Sequence, residues 1–319
     1  MALYKIIDSH HHLWTLDHKD WYPWLTADLV PLYRDYTLAD YVQEISFLQD
    51  SADVVGSVLV QASPSEEEID LMVRIADNSK GIVRGVVGWV NMLDTHSCIR
   101  TIDHWMKHLS SCRILDQQPR SLLVGLRPML QDLPDDEWML RHISPALISH
   151  MVDIDICFDA LIKPSHLTHL KAFVGKYPLL KIVIDHAAKP TIMGMHPLSD
   201  HELANTQWAK DMKWLASNSN VLCKISGLFT EIHKATIPPM YKDDIQYQTN
   251  LIKPYIKFLI EIFTCKRLMW GSDWPVLEVA GIKPSMWIQC CIQIFNELGK
   301  SIEDQQQIFY HNAIRFYKL

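Results

Sequence analysis

The residues best suited to chemistry lie near the start of the chain, where Asp8-Ser9-His10-His11-His12 ends a run of apolar residues. Alternate side chains of a β-strand share a face, so Asp8, His10 and His12 are predicted to point together and His11 to point away. Two imidazoles that converge at a strand end suit a divalent metal such as zinc. Because the chain has 16 histidines, such a spacing also arises by chance, and two partly exposed loop histidines are the alternative.

A second candidate lies near the other end of the chain, in Trp270-Gly271-Ser272-Asp273-Trp274-Pro275. Asp273 follows an apolar run and sits beside glycine and proline. A carboxylate at such a position either holds a metal, accepts a proton from water, or does both. An ordinary turn aspartate after a strand is the alternative.

Four further polar residues also end apolar runs. His186 is predicted to be either a third imidazole ligand or an electrophile that polarises a carbonyl group. Arg127 and Lys224 would bring cationic donors suited to binding a carboxylate or an oxyanion, with surface ion pairs as the alternative. Asp159 is either a second carboxylate of the site or a helix cap.

Eight short apolar runs precede or contain these candidates. They lie at residues 4–8, 54–60, 82–90, 122–127, 151–158, 179–185, 221–226 and 267–271. Most are apolar at successive positions rather than at alternate ones. That pattern is typical of strands buried on both faces, as in a parallel sheet.

Stretches with helical spacing lie between the runs. Residues 37–49 open with Thr37-x-x-Asp40, which predicts a capping box. Ser63-Pro64-Ser65-Glu66 predicts a cap and a first-turn proline for the next helix. The remaining helices are predicted at residues 99–109, 135–149, 167–174, 202–217, 251–263 and 284–298.

Eight strand–helix units in series predict an α/β protein, a (β/α)8 TIM barrel that occupies residues 1–319 as a single domain. An open doubly wound sheet is the alternative, but it needs a glycine-rich loop after the first strand, which is absent. Long loops at 13–36, 187–200 and 229–247 follow the first, sixth and seventh strands, at the end where barrels build active sites. Barrel closure would place the last strand beside the first, so Asp273 is expected to face His10 and His12.

Composition excludes several classes of partner. The net charge is −7 and there is no basic stripe, so nucleic acid is not expected. No apolar run approaches the ~18 residues that a membrane span requires, and the start of the chain does not resemble a signal peptide. Seven scattered cysteines without a C-x-x-C motif are typical of a reduced, cytoplasmic protein. The sequence leaves a homo-oligomer open.

Nine short motifs follow one another along nearly the whole chain. They are Asp8-x-His10-x-His12-x-Trp14, Tyr22-Pro23-Trp24-Leu25, Arg34-Asp35-Tyr36, Gly85-x-x-Gly88-Trp89-Val90, Gly125-x-Arg127, Asp185-His186-x-x-Lys189-Pro190, Lys224-x-Ser226-Gly227, Gly271-Ser272-Asp273-Trp274-Pro275 and Asn312-Ala313-x-Arg315-Phe316-Tyr317. Together they resemble the amidohydrolase superfamily. The resemblance is closer to its branch of sugar-acid lactonases and 2-pyrone-4,6-dicarboxylate lactonase-like hydrolases.

The resemblance implies that Asp273 is the general base that activates water. It implies that His10, His12 and His186 polarise the substrate carbonyl or, with Asp273, bind one divalent metal, most naturally zinc. No lysine ends the fourth strand and no histidine ends the fifth, so a two-metal site is not expected. The branch includes members that work without a metal, which leaves a metal-independent site open.

The reaction this implies is the opening of a lactone by water, with Asp273 acting first as base and then as acid. Arg127 and Lys224 are expected to bind the substrate, with Trp24, Trp89 and Trp274 as stacking walls or as core residues. The cationic residues favour an anionic or polyhydroxylated small molecule, and whether Lys189 and Arg34 take part stays open. A zinc-dependent decarboxylase on the same residues and a ligand-binding barrel without catalysis are the alternatives.

Overall fold

A computed structural model describes residues 4–48, 52–107, 120–242 and 244–319. Within these ranges the strands are β1 (Tyr4–His11), β2 (Ala52–Val60), β3 (Val83–Gly88), β4 (Leu123–Leu126), β5 (Cys157–Ala160), β6 (Ile182–Ile184), β7 (Ile192–Met193), β8 (Val221–Ile225), β9 (Ile232–His233) and β10 (Leu268–Trp270). Eight of them form one parallel sheet in the order β1-β2-β3-β4-β5-β6-β8-β10. The short strands β7 and β9 pair separately.

Most helices surround this sheet, and the last one packs against the end of the barrel. In the described parts of the chain they are α1 (Leu38–Ser46), α2 (Glu67–Asn78), α3 (Thr95–Met106), α4 (Trp138–His142), α5 (Pro145–Asp153), α6 (Leu167–Lys176), α7 (Asp200–Asn205), α8 (Gln207–Ala216), α9 (Ile245–Phe263), α10 (Pro284–Glu297), α11 (Ile302–Gln306) and α12 (Asn312–Tyr317). No helix among the described residues combines the length and the apolar character needed to cross a bilayer.

The sheet closes on itself between β1 and β10. Closure runs through residues at or just past the strand ends, because the Asp273 amide donates to the His10 carbonyl at 2.8 Å and the His12 amide donates to the Trp274 carbonyl at 2.7 Å. The predicted (β/α)8 barrel is therefore confirmed, with the predicted seventh and eighth strands observed as β8 and β10.

The inside of the barrel is filled by its own apolar cluster. Nearly every strand contributes a buried side chain to it, and the last residues of the chain complete it: Ile7, Val58, Val60, Val87, Val124, Cys157, Val183, Met269, Ala313, Phe316, Tyr317 and Leu319. Gly85 leaves room for this arrangement, since a Cβ there would lie 2.9 Å from the Leu319 side chain. The C-terminal residues thus plug the end of the barrel opposite to the strands' carboxyl ends.

The predicted strand at 151–158 is wrong in its first half. Residues 151–153 are the last turn of α5, and β5 begins only at Cys157. Leu147, Ile148 and Met151 are buried together at helical spacing, so the apolar residues belong to a helix face. Asp155 then takes a left-handed conformation that ends the helical segment before the strand.

Two predicted long helices are each divided in two. The helix predicted at 135–149 breaks between α4 and α5, where Ser144 caps the new helix and Pro145 fills its first turn. The helix predicted at 202–217 breaks between α7 and α8, and the Thr206 side chain caps the second part. In both cases a capping residue within the apolar pattern starts a new helix.

The helix boundaries show one further correction. The capping box of Thr37 and Asp40 is confirmed at the start of α1. The first-turn proline predicted after Ser63 is wrong, because α2 begins at Glu67 and Pro64 precedes it. Predicted helix positions 49 and 108–109 lie outside the described residues.

The three long loops carry short elements of their own. The first contains a 3-10 turn at Leu16–Trp21, and the other two are joined to each other by the β7–β9 pair. All three follow the carboxyl ends of barrel strands, as expected for the loops that build a TIM-barrel site.

Gly271 is expected to be required for barrel closure. A Cβ at this position would lie 2.7 Å from the Cβ of His10 and 3.2 Å from its amide nitrogen, so β1 and β10 would be pushed apart. Gly271→Ala should lower the free energy of unfolding by about 2 kcal/mol, measured by urea denaturation.

Gly175→Ala is the matched control for that measurement. Gly175 is exposed in α6, and the nearest atom to a new Cβ is 4.0 Å away on Trp214. Removing a helical glycine there should raise stability by about 0.5–1 kcal/mol. Equal effects of the two substitutions would contradict the packing argument.

Candidate active site

The end of β1 directs two histidines into the barrel and one out of it. His10 and His12 face inward, with their Nε2 atoms 3.1 Å apart. His11 faces outward, where its ring stacks on Tyr41 of α1 at 3.9 Å and its Nε2 lies 3.0 Å from the Ser57 hydroxyl. All three rings are buried.

Asp8 does not join the inward-facing histidines, contrary to the sequence prediction. Its carboxylate accepts hydrogen bonds from the Tyr41 hydroxyl at 2.9 Å and from the Ser272 hydroxyl at 2.6 Å. The register of β1 against β2 shifts between Asp8 and His11, which breaks the strict alternation of side chains. Asp8 therefore links β1 to the segment after β10 instead of facing the site.

Asp273 lies at the centre of three imidazoles. Its Oδ1 atom is 3.9 Å from His10 Nε2, 3.7 Å from His12 Nε2 and 3.8 Å from His186 Nε2. The residue has a left-handed backbone with φ 56°, which is uncommon for a side chain other than glycine, asparagine or aspartate. The backbone bond to His10 holds this conformation, so the bond that closes the barrel also aims the carboxylate.

His186 is presented by an unusual backbone segment. Residues 186–189 all have φ between 50° and 57°, although none is glycine. Left-handed residues with a Cβ cost roughly 1–2 kcal/mol each, and such strain concentrates at functional sites. The indole of Trp208 donates to the Ala187 carbonyl at 2.8 Å and helps to hold the segment.

The backbone of Gly227 makes room for His186. A Cβ on Gly227 would lie 2.7 Å from His186 Nδ1 and 3.1 Å from an oxygen of Asp273. The neighbouring Ser226 hydroxyl lies 2.9 Å from His186 Nδ1 and orients the ring. A glycine is therefore needed next to the point where the imidazole and the carboxylate meet.

A buried charge network lies beneath the imidazoles. The Lys224 ammonium group contacts Asp159 at 2.6 Å and Asp185 at 2.9 Å, and Arg127 contacts Asp185 at 3.2 Å. The Tyr317 hydroxyl from the C-terminal plug donates to Asp159 at 2.6 Å. Two cations and two anions balance here, which is the condition for burying charges without a large desolvation cost.

Burial sets the protonation of the site. It lowers the pKa of His186 to about 4 and lowers the pKa values of His10 and His12, so the three imidazoles are neutral at neutral pH. Burial by itself raises the pKa of Asp273, but the polar groups that face it, among them the positive charge of Lys189, outweigh burial and leave this pKa below its ordinary value. The result is an ionised carboxylate among neutral imidazoles.

A cavity of about 200 Å³ opens above Asp273. Apolar and aromatic side chains form part of its lining and polar side chains form the rest; the lining residues are His12, Trp14, Trp24, Leu32, Ala62, Arg127, Met129, Gln131, Asp132, Leu161, His186, Lys189, Asp273 and Val276. A cavity of this size suits a monosaccharide-sized ligand.

The predicted substrate-binding residues divide into two groups. Arg127 and Trp24 line the cavity, as does Lys189. Lys224 and Trp274 are completely buried and do not line it, and the indole of Trp274 packs against Tyr36 at 5.1 Å.

Trp89 and Arg34 also stay outside the cavity lining. Trp89 is half-buried. Arg34 is exposed, with its guanidinium over the Tyr36 ring.

Three polar residues of the site, Asp185, Gln131 and Asp132, were not predicted from the sequence. Asp185, quoted only as a neighbour of His186, is the carboxylate that joins Lys224 and Arg127. Gln131 and Asp132 line the cavity from the loop after β4, where no motif marks them.

Glu68 of α2 holds one wall of the cavity in place. Its buried carboxylate accepts hydrogen bonds from the amides of Ala62 at 3.0 Å and Ser63 at 2.9 Å. The Ala62 carbonyl in turn accepts the indole N–H of Trp24 at 2.7 Å. The contacts fix the loop after β2 and, through it, the aromatic wall.

The donor atoms around Asp273 fit a single metal ion. Among the described residues, His10, His186 and Asp273 each offer one donor atom within 4.8 Å of the others. His12 adds a fourth, because its Nδ1 lies 2.7 Å from the Val60 carbonyl and donates to it, which leaves the Nε2 lone pair facing inward. A tetrahedral zinc ion with bonds of about 2.0 Å needs donors roughly 3.3 Å apart. The His10 and His12 Nε2 atoms are 3.1 Å apart, and the distances from Asp273 Oδ1 to the three imidazoles, 3.7–3.9 Å, are slightly longer.

The comparisons with known proteins identify the family of the chain. A family model described as amidohydrolase matches residues 7–319, so the chain belongs to the amidohydrolase family. A relative from Burkholderia ambifaria named L-fucono-1,5-lactonase is 33% identical, and the match covers 98% of this chain and 95% of that one. Another of the same name, from Burkholderia multivorans, is 28% identical over 98% of this chain and 96% of its own.

A solved structure supports the fold. The crystal structure of an amidohydrolase from Burkholderia multivorans with bound zinc superimposes with a TM-score of 0.78. The identity is 24%, and the match covers 100% of both chains.

The pH dependence of the unfolding free energy should reveal the protonation of the buried Glu68 carboxyl group. Burial raises its pKa to about 7 from an ordinary value of 4.5. Between these values the folded protein binds the proton more tightly than the unfolded chain, so the unfolding free energy falls as pH rises. Relative to Glu68→Gln, the wild type should lose about 3 kcal/mol of stability between about pH 4 and pH 8.

Chemical denaturation across this pH range measures the difference in unfolding free energy between the wild type and Glu68→Gln. The contributions of groups that titrate in both proteins cancel in this difference. Glu67→Gln, at the exposed neighbouring position, should show a much smaller dependence on pH. A stability difference for Glu68→Gln that stays constant or grows with pH would show that the carboxylate is ionised throughout.

Proposed function

We propose that this protein is a lactonase that opens a sugar-acid lactone by attack of water on the ring carbonyl. The observation that carries the proposal is the position of Asp273, an ionised carboxylate 3.7–3.9 Å from three neutral imidazoles at the base of a monosaccharide-sized cavity. The full-length similarity to proteins named L-fucono-1,5-lactonase supports the reaction class.

The reaction uses Asp273 twice. The carboxylate takes a proton from water as the water oxygen bonds to the lactone carbonyl carbon, and the carbonyl oxygen becomes negative. Arg127 and an imidazole N–H are the donors available to stabilise this oxyanion. The bond from the carbonyl carbon to the ring oxygen then breaks, and Asp273 returns its proton to that oxygen, giving a hydroxy acid.

The charges of the cavity favour a neutral, polyhydroxylated substrate over a dianion. Arg127 and Lys189 face it, but so do Asp132 and Asp273, and both cations already have carboxylate neighbours, Asp185 and Glu231. A dicarboxylate ligand would meet two anions without a surplus of positive charge. Hydroxyl groups, in contrast, can donate to Asp132 and accept from Lys189.

The apolar wall suggests which sugar acids fit. Trp24, Leu32, Met129 and Leu161 offer no hydrogen-bonding partner for a ring substituent that faces them, apart from the indole N–H already bonded to Ala62. The two relatives named for L-fucono-1,5-lactone act on a lactone of a 6-deoxy sugar acid, whose methyl group suits such a wall. We therefore propose 6-deoxyaldonolactones as the substrates of this protein.

A single zinc ion is the cofactor we propose for the donor set of His10, His12, His186 and Asp273. When bound it would polarise the carbonyl and lower the pKa of water. The proton transfers described above need only the side chains of this chain, so a metal-independent reaction remains compatible with them.

The six described cysteines are free and buried, which supports a reducing compartment such as the cytoplasm.

Asp273→Asn should remove turnover while leaving the fold intact. Asparagine keeps the shape of the side chain and tolerates the left-handed backbone, but it accepts no proton from water. The rate of acid release from L-fucono-1,5-lactone, followed with a pH indicator and corrected for spontaneous hydrolysis, should fall at least about a hundredfold.

Retention of more than about a tenth of the wild-type rate, with unchanged thermal unfolding, would rule out the general-base role. The same assay separates the alternatives. A decarboxylase would release carbon dioxide, and a binding barrel without catalysis would bind the lactone and leave it closed.

Asp132→Asn should weaken substrate binding more than chemistry. Losing a charged acceptor for a substrate hydroxyl should raise KM about tenfold, with kcat little changed. Asp136→Asn is the control, since Asp136 contacts His166 outside the cavity lining and should leave both constants unchanged. An unchanged KM for Asp132→Asn would remove this residue from the substrate site.

A further inference from the structure

Gln61 is a buried polar side chain that joins two strand ends across a third. It directly follows β2, and its side chain is completely buried and does not line the cavity. Its Nε2 atom donates to the Arg127 main-chain carbonyl at 2.8 Å and lies 3.1 Å from the sulfur of Met129, a weak acceptor. Arg127 and Met129 follow β4, and β3 lies between β2 and β4 in the sheet. Gln61 thus ties the end of β2 to two residues of the cavity lining.

The contact between Gln61 and Arg127 runs in both directions. While the Gln61 amide donates to the Arg127 carbonyl, Nη2 of Arg127 donates to the Gln61 main-chain carbonyl. Carbonyl oxygens only accept, and amide and guanidinium nitrogens only donate, so the direction of both bonds is fixed. Nη1 of Arg127 lies 3.2 Å from Asp185 and 3.2 Å from Nε2 of His10. Gln61 therefore holds both the backbone of Arg127 and one end of its guanidinium group, while the other end lies beside His10.

No second bond in the described ranges duplicates the one from the Gln61 amide. Among the residues that the structure describes, Gln61 Nε2 is the one donor to the Arg127 carbonyl. The strand before Arg127 has only four residues, and Pro128 after it has no amide hydrogen to donate. The Arg127 amide donates to the Gly88 carbonyl at 2.8 Å, which fixes only one side of the residue. Loss of the Gln61 amide would leave a buried carbonyl unpaired and the position of Arg127 less constrained.

We propose that Gln61 is a positioning residue that holds Arg127 in place for the reaction, so that the guanidinium group meets the negative charge that develops on the substrate carbonyl oxygen. The effect on the reaction rests on the proposed lactonase function, whereas the ordering of Arg127 does not. Gln61 lies outside all of the sequence motifs, and it acts without contacting the substrate. Transition-state contacts need such support because a displacement of about 1 Å costs up to roughly a hundredfold in rate.

Gln61→Met tests the role of this residue in catalysis. Methionine has nearly the same length and shape, but it has no N–H donor. Because Arg127 acts on the oxyanion, kcat for L-fucono-1,5-lactone should fall at least about tenfold, with KM changed less than about threefold. An unchanged kcat in a folded Gln61→Met protein would overturn the proposal.

Gln305→Met is the matched control for the loss of a buried amide. Gln305 is buried outside the cavity lining, and its Nε2 donates to the Lys300 main-chain carbonyl at 3.0 Å and to the Asn296 side chain at 2.9 Å. This variant should lose stability in urea denaturation as Gln61→Met does, while kcat and KM stay unchanged. An equal loss of kcat in both variants would assign the effect to general destabilisation, against the proposal.

A double-mutant cycle shows whether Gln61 acts through Arg127. Arg127→Lys keeps a positive charge near Asp185 but removes the guanidinium group. In this background Gln61→Met should lower kcat by less than about a further twofold, because the group that Gln61 positions is gone. A further loss as large as the one in the wild-type background would contradict the proposal.

Nuclear magnetic resonance tests the ordering of Arg127 without any substrate. In protein labelled with ¹⁵N-arginine, the signals of Arg127 are those lost in Arg127→Lys. In the unmodified protein and in Gln305→Met, rotation of the bonded guanidinium group should be hindered and its Nη signals separate, whereas in Gln61→Met they should broaden or merge.

Two results of this experiment would overturn the proposal, whether or not the protein hydrolyses any lactone. One is a set of averaged Nη signals for Arg127 in the unmodified protein. The other is a set of separate, unchanged signals in a folded Gln61→Met protein. Where Gln61→Met fails to fold, the spectrum of the unmodified protein decides.

Discussion

The barrel closes between β1 and β10 through two backbone hydrogen bonds at their ends. One joins the Asp273 amide to the His10 carbonyl, and the other joins the His12 amide to the Trp274 carbonyl. The residues that complete the fold are thus those that carry the candidate chemistry. Closure brings a carboxylate within 4 Å of three imidazoles and commits its backbone to a left-handed conformation. At this seam the same residues supply the backbone bonds of the fold and the side chains of the site.

The other residues of the site offset the cost of burying the Asp273 carboxylate and the charged groups beneath it. Neutral imidazoles surround Asp273, and the charges beneath them balance in pairs, Lys224 with Asp159 and Arg127 with Asp185. The C-terminal plug reaches this network through Tyr317, so the last residues of the chain support the opposite end of the barrel. The left-handed turn that presents His186 adds strain, which its bonds to Trp208 and the space left by Gly227 offset.

Much of the architecture can be predicted from the sequence, because buried parallel strands read as apolar runs whatever their partners are. The placement of Asp273 beside His10 and His12 follows from the barrel order alone. The run at 151–158 misleads because a buried helix face and a buried strand are equally apolar. Asp8 misleads because a register shift, which leaves no mark in the sequence, turns its side chain outward.

The depth of a residue within the barrel is also invisible in the sequence. Lys224 was predicted to bind the substrate, yet it does not line the cavity and contacts His10 instead. Gln131 and Asp132 could not be predicted, since a loop has no periodicity to show which of its residues turn towards the site. The motifs indicate where the strands end, and the loop conformations decide which side chains reach the cavity.

The central claim, that Asp273 activates water instead of attacking the lactone itself, is tested most directly with isotopic oxygen. A single turnover with enzyme in excess is run in H₂¹⁸O, and both the product and the peptide containing Asp273 are examined by mass spectrometry. General-base catalysis predicts one ¹⁸O atom in the product carboxylate, none in the released hydroxyl group and none in Asp273. Label in the Asp273 peptide, or in the hydroxyl oxygen of the product, would contradict it.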